Sequence, residues 1–161
     1  MEVSYDKWRE KMTKKIGIIS DTHGLLRKEV KDILKTCDCI LHAGDVDRPE
    51  ILDQLRVLGN IYVVRGNNDG SWAEKISRTL RFEIAGVKFF MVHNKKDVAW
   101  DLGSVQVVIT GHTHKYKEEI KDGRLWLNPG SCGRSRFGGE VTMAVMEIDE
   151  EKYQISKIIL K

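Results

Sequence analysis

The chain has 161 residues, enough for one domain with a substantial core, and its net charge of +3 is too mild to make it a nucleic-acid binder by charge alone. Three cysteines, Cys37, Cys39 and Cys132, are an odd number without CxxC spacing, which argues against a disulfide framework and against a thiolate zinc site. No apolar stretch approaches membrane-spanning length and none at the N-terminus has the form of a signal peptide, so a reduced, cytoplasmic domain is expected.

Residues 1–14 are charged, with Tyr5, Trp8 and Met12 spaced as one helical face. They read as an N-terminal extension, with Met12 as an alternative start, and a neighbouring subunit is expected to hold that face, making a homo-oligomer, dimer or tetramer. A single domain then covers 15–161. It begins with Ile16, Ile18 and Ile19, a short buried strand that ends abruptly at polar Asp21 and His23. If the chain stays extended there, the two side chains project to the same side.

Val30, Ile33 and Leu34 place an amphipathic helix over Arg27–Thr36. Residues 39–43 form a second buried strand, ending in Gly44-Asp45. Pro49 opens a helix that runs to Leu58 and stops at Gly59. Ile61–Arg65 is the third strand, followed by Gly66-Asn67-Asn68-Asp69. Strands alternating with helices predict a parallel sheet, whose ligands bind beyond the C-terminal strand ends.

In the second half, Leu80–Ile84 and Val87–Val92 read as a hairpin joined by Ala85-Gly86, with His93 after it. A short helix is expected over Asp97–Leu102, then a strand over Val105–Ile109, followed by Gly111-His112-Thr113-His114. Glu118–Ile120 and Leu125–Leu127 flank a turn, Asn128-Pro129-Gly130-Ser131 is a tight loop, and Val141–Ile148 pairs with Tyr153–Leu160. The mixture implies an α/β (α+β) protein of two packed sheets with helices outside.

Six places share one pattern, an apolar strand and then a sharp exit bearing metal-type ligands: Asp21/His23, Asp45, Asn67, His93, His112 and His114. Singly, Asp21 is an ordinary helix cap and Gly44-Asp45 an ordinary turn. Four of the five histidines at strand exits decide for a metal site. His42, inside its strand, is read as a structural histidine or the partner of a ligand, not a ligand. Hard oxygens mixed with imidazoles and no thiolate suit Mn²⁺ first, with Ni²⁺, Fe²⁺ or Zn²⁺ as alternatives, over Mg²⁺ or Cu(I). Seven candidate ligands exceed one tetrahedral ion; two divalent ions sharing a carboxylate use them all. Arg65, Arg134 and Arg136 are candidates for substrate phosphate or for plain solvation, and Cys39 and Cys132 read as fillers.

The ordered set Asp21-x-His23, Gly44-Asp45, Gly66-Asn67, His93 and Gly111-His112-x-His114 resembles the motif series of the calcineurin-like metallophosphoesterases, and in particular the small bacterial and archaeal phosphodiesterases of the YfcE type. The resemblance runs from about Lys15 to the C-terminus. It implies a four-layer αββα sandwich, with Asp21, His23, Asp45 and His114 on one ion and Asp45, Asn67, His93 and His112 on the other. The implied chemistry is hydrolysis of a small phosphodiester by a hydroxide generated between two ions about 3.5–4 Å apart. Asp45, Asn67, Asn68 and His93 are then the catalytic candidates. Two positions depart from the wider pattern: Asn68 stands where many members carry a histidine thought to serve the leaving group, and Asn94 where a glycine is usual. The first fits the phosphodiesterase branch. The alternatives are a phosphomonoesterase or nuclease of the same fold, or a non-catalytic scaffold like the small subunit of the retromer coat. No membrane partner and no extended nucleic acid are expected.

Overall fold

The computed structural model describes residues 13–135 and 138–161. Tyr5, Trp8 and Met12 of the expected oligomer face, and Arg136, lie outside the described residues. Two five-stranded mixed sheets stack on each other. The first takes β1 (Lys14–Ile19), β2 (Cys39–His42) and β3 (Asn60–Val63) in parallel, with β9 (Val141–Asp149) antiparallel to β1 and β10 (Lys152–Leu160) antiparallel to β9, in the order β10-β9-β1-β2-β3. The second has the order β4-β5-β6-β8-β7, from β4 (Thr79–Ile84), β5 (Val87–Val92), β6 (Val107–Ile109), β7 (Tyr116–Lys121) and β8 (Arg124–Pro129). Lys14, assigned above to the extension, already opens β1, and Asn128 and Pro129 close β8 instead of forming a loop.

The expected alternation of strand and helix holds because each helix has one apolar face to bury. Helix α1 (Lys28–Leu34) turns Val30 and Leu34 inward, and α2 (Pro49–Leu58) turns Ile51, Leu52 and Leu55 inward, against Ile19 and Ile40 of the first sheet. Pro49 sits in the first turn of α2, where its missing N–H costs nothing. Between the sheets, Ile16, Ile18 and Leu41 meet Phe89, Met91, Val107, Ile109 and Leu127. Strands buried on both faces read as continuous apolar runs, which is why β1, β2 and β6 were legible.

The outer face of the second sheet differs from expectation. Phe90, Val92, Val108 and half-buried Trp126 are covered by Leu102 and Val105 of a connecting loop, not by an α-helix. The helix expected over Asp97–Leu102 is a single 3-10 turn, Lys95–Asp97, capped by the Asn94 side chain accepting from Lys96 N. Val98 leaves it with extended dihedrals and Gly103 takes φ +52°. β-Branched Val98 and Gly103 disfavour a helix, and a loop bearing two apolar residues suffices to cover the sheet. No helix among the described residues is long and apolar enough to cross a membrane.

Candidate metal centre

Parallel pairing brings the C-terminal ends of β1, β2 and β3 to one edge, and the β1 and β2 exits stay paired beyond it: Asp21 N, His23 N and Gly24 N donate to the carbonyls of Gly44, Asp45 and Val46 at 3.0, 3.0 and 2.9 Å. The Asp21–His23 stretch is not extended, as the sequence reading assumed. Asp21 and His23 both take left-handed dihedrals, φ 53° and 46°, with Thr22 between them. The same i, i+2 pattern recurs at Asp45 and Asp47 (φ 59° and 71°) and at His112 and His114 (φ 75° and 62°). Asp and His tolerate this region better than most residues, yet each visit costs roughly 1 kcal/mol or more and survives only where the surroundings enforce it. The two side chains of a pair converge through left-handed turns, not through strand alternation.

Gly44 and Gly66 make the approach of these exits possible. Gly44 has φ +100°, and a Cβ there would lie 2.8 Å from His93 Nδ1 and 2.9 Å from Gly66 N; a Cβ on Gly66 would collide with the Asp45 carboxylate.

Two groups of donors result. In the first, ligand atoms of Asp21, His23 and His114 lie within 4.8 Å of one another. Asp21 Oδ1 is 3.6 Å from His23 Nε2 and 3.4 Å from His114 Nε2, and the two ring nitrogens are 3.1 Å apart. Asp21 Oδ2 is occupied, accepting from Ser20 Oγ at 2.7 Å and His112 N at 3.0 Å, so only Oδ1 faces the group. His23 Nδ1 pairs with Asp47 Oδ2 at 2.9 Å, which holds a proton on Nδ1 and turns Nε2 toward Asp21.

The second group joins Asp45, His93 and His112 under the same limit. His93 Nδ1 donates to Ala43 O at 2.7 Å, leaving Nε2 3.1 Å from Asp45 Oδ2. Asp45 Oδ1 accepts from Asn68 N at 2.9 Å, and Oδ2 stands between the two groups, 3.7 Å from His23 Nε2. Asn67 Oδ1 lies 3.1 Å from His112 Nδ1. The Asn68 side chain is exposed and accepts from Asn67 Nδ2 at 3.2 Å. All seven ligand candidates are thus brought to one edge.

His42 belongs to neither group. Fully buried, it accepts from Gly44 N through Nδ1 at 3.1 Å, so its proton sits on Nε2, 3.0 Å from Thr22 Oγ1, which in turn donates to Val46 O at 3.3 Å. Burial pushes its pKa down to about 4, so the ring is neutral. Two residues that sequence reasoning missed complete the support. Asp47 orients His23. Asp69, only 3% exposed, accepts from Asp45 N, Asp47 N and Gly66 N at 3.0, 2.8 and 2.8 Å, tying the β2 exit to the β3 exit. The spacing Asp45-x-Asp47, repeating Asp21-x-His23, was a usable signal for the first; the second carried none beyond its place in a turn. Arg65 donates to Asp69 O at 3.3 Å, and Arg134 is exposed.

Charge in the site is strongly biased. Burial opposes ionisation of Asp21, but His114, His23, His93 and Ser20 hold its carboxyl far below the usual range. Asp45, raised by burial, is carried down overall by His93 and the Asn68 N–H. Asp21 raises His23 to about 9 against partial burial, with help from Asp47, and Asp45 raises His93 in spite of burial. The two shifts run in the direction that pairs positive imidazole with negative carboxylate, a balance that a bound cation would take over. The donor set fits divalent metal: among the described residues Asp21 Oδ1 and His93 Nε2, each facing one of the groups, are buried without a hydrogen-bond partner. No thiolate competes, because burial pushes Cys39 up to about 11 and Cys132 up to about 12.

Comparison with known proteins agrees. Residues 14–151 match the model of the calcineurin-like phosphoesterase superfamily domain. A probable metallophosphoesterase of Methanothermobacter thermautotrophicus is 34% identical over 153 residues, covering 85% of this chain and 87% of that protein. A solved archaeal phosphodiesterase superposes with a TM-score of 0.77 at 31% identity, over 91% of this chain and 99% of its own. Vps29 of Chaetomium thermophilum shares the fold, with a TM-score of 0.74 at 13% identity over 91% of this chain and 97% of its own. With two candidate metal-ligand groups at the shared edge of its sheets, the chain belongs to the calcineurin-like phosphoesterase superfamily.

Proposed function

We propose that this chain is a phosphodiesterase working through two divalent transition-metal ions, Mn²⁺ foremost. Asp21, His23, Asp45 and His114 would hold one ion and Asp45, Asn67, His93 and His112 the other. The observation that carries the reading is Asp45: one oxygen is fixed by Asn68 N, and the other stands between the two groups of ring nitrogens. Bound there, the ions would supply Lewis-acid polarisation of the phosphoryl oxygen and an activated water.

The chain's own residues set the conditions. Asp47 and Ala43 O fix the tautomers of His23 and His93, so neither ring has to reorient when it binds. Asn67 contributes a neutral oxygen, which limits the anionic charge a phosphate must approach. Asn68, adjacent to Asp45 through its N–H, offers the leaving oxygen an amide that donates a hydrogen bond but cannot hand over a proton at neutral pH. That favours a diester with a stable leaving group over a monoester. The scaffold alternative is disfavoured because every donor position is filled.

Metal-free protein reconstituted in parallel with Mn²⁺, Ni²⁺, Zn²⁺ and Mg²⁺ should hydrolyse bis(p-nitrophenyl) phosphate with a transition metal only, and faster than p-nitrophenyl phosphate. Equal rates on the two esters would overturn the diester preference. No turnover with both ions bound would favour the scaffold.

A further inference from the structure

Both helices that leave the metal edge begin against local preference. Arg27 stands at the N-cap of α1 and Arg48 at the N-cap of α2, and neither side chain makes a capping hydrogen bond. That position favours Ser, Thr, Asp or Asn, and a cation there faces the positive end of the helix. A local rule broken twice at one edge, beside the proposed centre, points to a use other than folding.

Arg48 is exposed but lies along the turn that carries His23: a Cβ on Gly24 would meet its Nε, Cδ and Cγ at 3.1, 3.3 and 3.5 Å. A second arginine is brought to the same turn from late in the chain. Ser131 Oγ donates to Asp21 O at 2.8 Å and Cys132 N to Ser20 O at 3.3 Å, and a Cβ on Gly133 would collide with Thr22 O. Exposed Arg134 follows directly. Arg27 ties this loop down, its Nε donating to Gly133 O at 2.9 Å. Neither the Arg48 nor the Arg134 guanidinium has a hydrogen-bond or ion-pair partner among the described residues. Two cations without a counter-charge, and the outer nitrogens of a third, thus border Thr22–Gly24. Gathering like charges costs free energy, and an anion relieves it.

This rim lies to one side of the proposed centre. His23 turns Nε2 toward Asp21 and Asp45 and Nδ1 toward Asp47, the chain neighbour of Arg48, so Arg48 belongs to the side of that ring away from the ligand groups. A group held there is not the phosphorus under attack but one attached to it. Guanidinium forks match phosphate oxygens in pairs, and several of them suit a doubly charged phosphate better than a carboxylate. From this arrangement we infer that the arginines around Thr22–Gly24 hold a second phosphate of the substrate, so that the ester cleaved beside them is a diester with a phosphorylated alcohol arm. The inference rests on the proposed hydrolase reading for its catalytic meaning, but binding of phosphate at the rim does not require catalysis.

The test uses the full chain in two arms. Metal-free protein carrying ¹⁵N-labelled arginine is titrated with inorganic phosphate and, separately, with acetate at matched ionic strength. The side-chain Nε–H resonances of Arg48 and Arg134 are followed, assigned with Arg48→Lys and Arg134→Lys. Movement of both with phosphate and not with acetate is expected. Equal movement with the two anions would overturn the choice of phosphate, and none with either would overturn the rim. In the second arm, Mn²⁺-loaded protein is assayed on two p-nitrophenyl phosphodiesters whose other arm is hydroxyethyl or the phosphate ester of hydroxyethyl. The phosphorylated arm should raise kcat/KM roughly ten-fold or more, through KM, the order of one charge-assisted hydrogen bond. Arg48→Gln should remove most of that advantage. An equal loss on both esters, or no advantage in the unmodified protein, would overturn the second phosphate. Should neither ester be hydrolysed by the unmodified protein, the hydrolase reading fails, and the titration still decides the phosphate site.

Discussion

Replacing Asp69 by alanine removes the acceptor of three buried backbone N–H groups at once. The carboxylate receives Asp45 N and Gly66 N on Oδ2 and Asp47 N on Oδ1, all at 2.8–3.0 Å. A hydrogen bond to a charged acceptor contributes ~1.5–3 kcal/mol, and an abandoned buried donor keeps its desolvation cost. Three such bonds, discounted for water entering the space, put the loss at about 4 kcal/mol, a large fraction of the ~5–15 kcal/mol typical of a domain. Asp69→Asn separates the contributions. Its single oxygen can retain the pair on Oδ2, but its amide then faces the Asp47 N–H donor to donor, so about half the loss is expected. With a urea m-value of about 2 kcal/mol/M, the midpoint of metal-free protein should fall by about 2 M for alanine and about 1 M for asparagine. Equilibrium urea unfolding followed by circular dichroism measures both. A shift under about 0.3 M for Asp69→Ala would refute the view that this carboxylate ties the two exits together.

Four further outcomes are expected. Elemental analysis of Mn²⁺-reconstituted protein should find two ions per chain; one or none would sink the dinuclear centre. Asp45→Ala should abolish hydrolysis and lose metal, whereas His42→Gln should keep both ions, since the His42 ring hydrogen-bonds Thr22 and Gly44 N and belongs to neither donor group; equal metal loss in both would overturn the ligand set. Because the pKa of His42 is depressed to about 4 in the folded chain from ~6.5 unfolded, the unfolded state alone takes up the proton between those values. Stability therefore falls by about 3 kcal/mol as pH drops from 6.5 to 4, and His42→Gln should remove that component of the acid loss in urea titrations at stepped pH. Rates across a series of leaving groups should fall steeply as their pKa rises, because Asn68 supplies no proton, and Asn68→His should flatten the slope; a shallow slope in the unmodified protein would assign the proton to another group.

The sequence by itself determined where chemistry would sit along the chain. Apolar, branched runs such as Ile16–Ile19 and Val107–Ile109 can only be buried strands, and a polar Asp or His directly after one must emerge at a sheet edge. Strand–helix alternation through Leu58 put three of those exits on one edge, and the odd count of cysteines without CxxC spacing argued against thiolate chemistry. What local pattern could not decide was which exits meet. Asp21 and His114 lie far apart in sequence and reach 3.4 Å only because the two sheets stack with their C-terminal ends together. The left-handed turns at Asp21, His23, Asp45, Asp47, His112 and His114 are likewise imposed from outside, since each is unfavourable locally and is held by neighbours such as Asp69. The outer covering of the second sheet went the same way: Leu102 and Val105 were going to be buried, but whether by helix or loop depended on the sheet surface they had to fit. Burial and register are written in short stretches of chain. The meeting of donors from separate strands is a property of packing, where side chains distant in sequence compete for one volume.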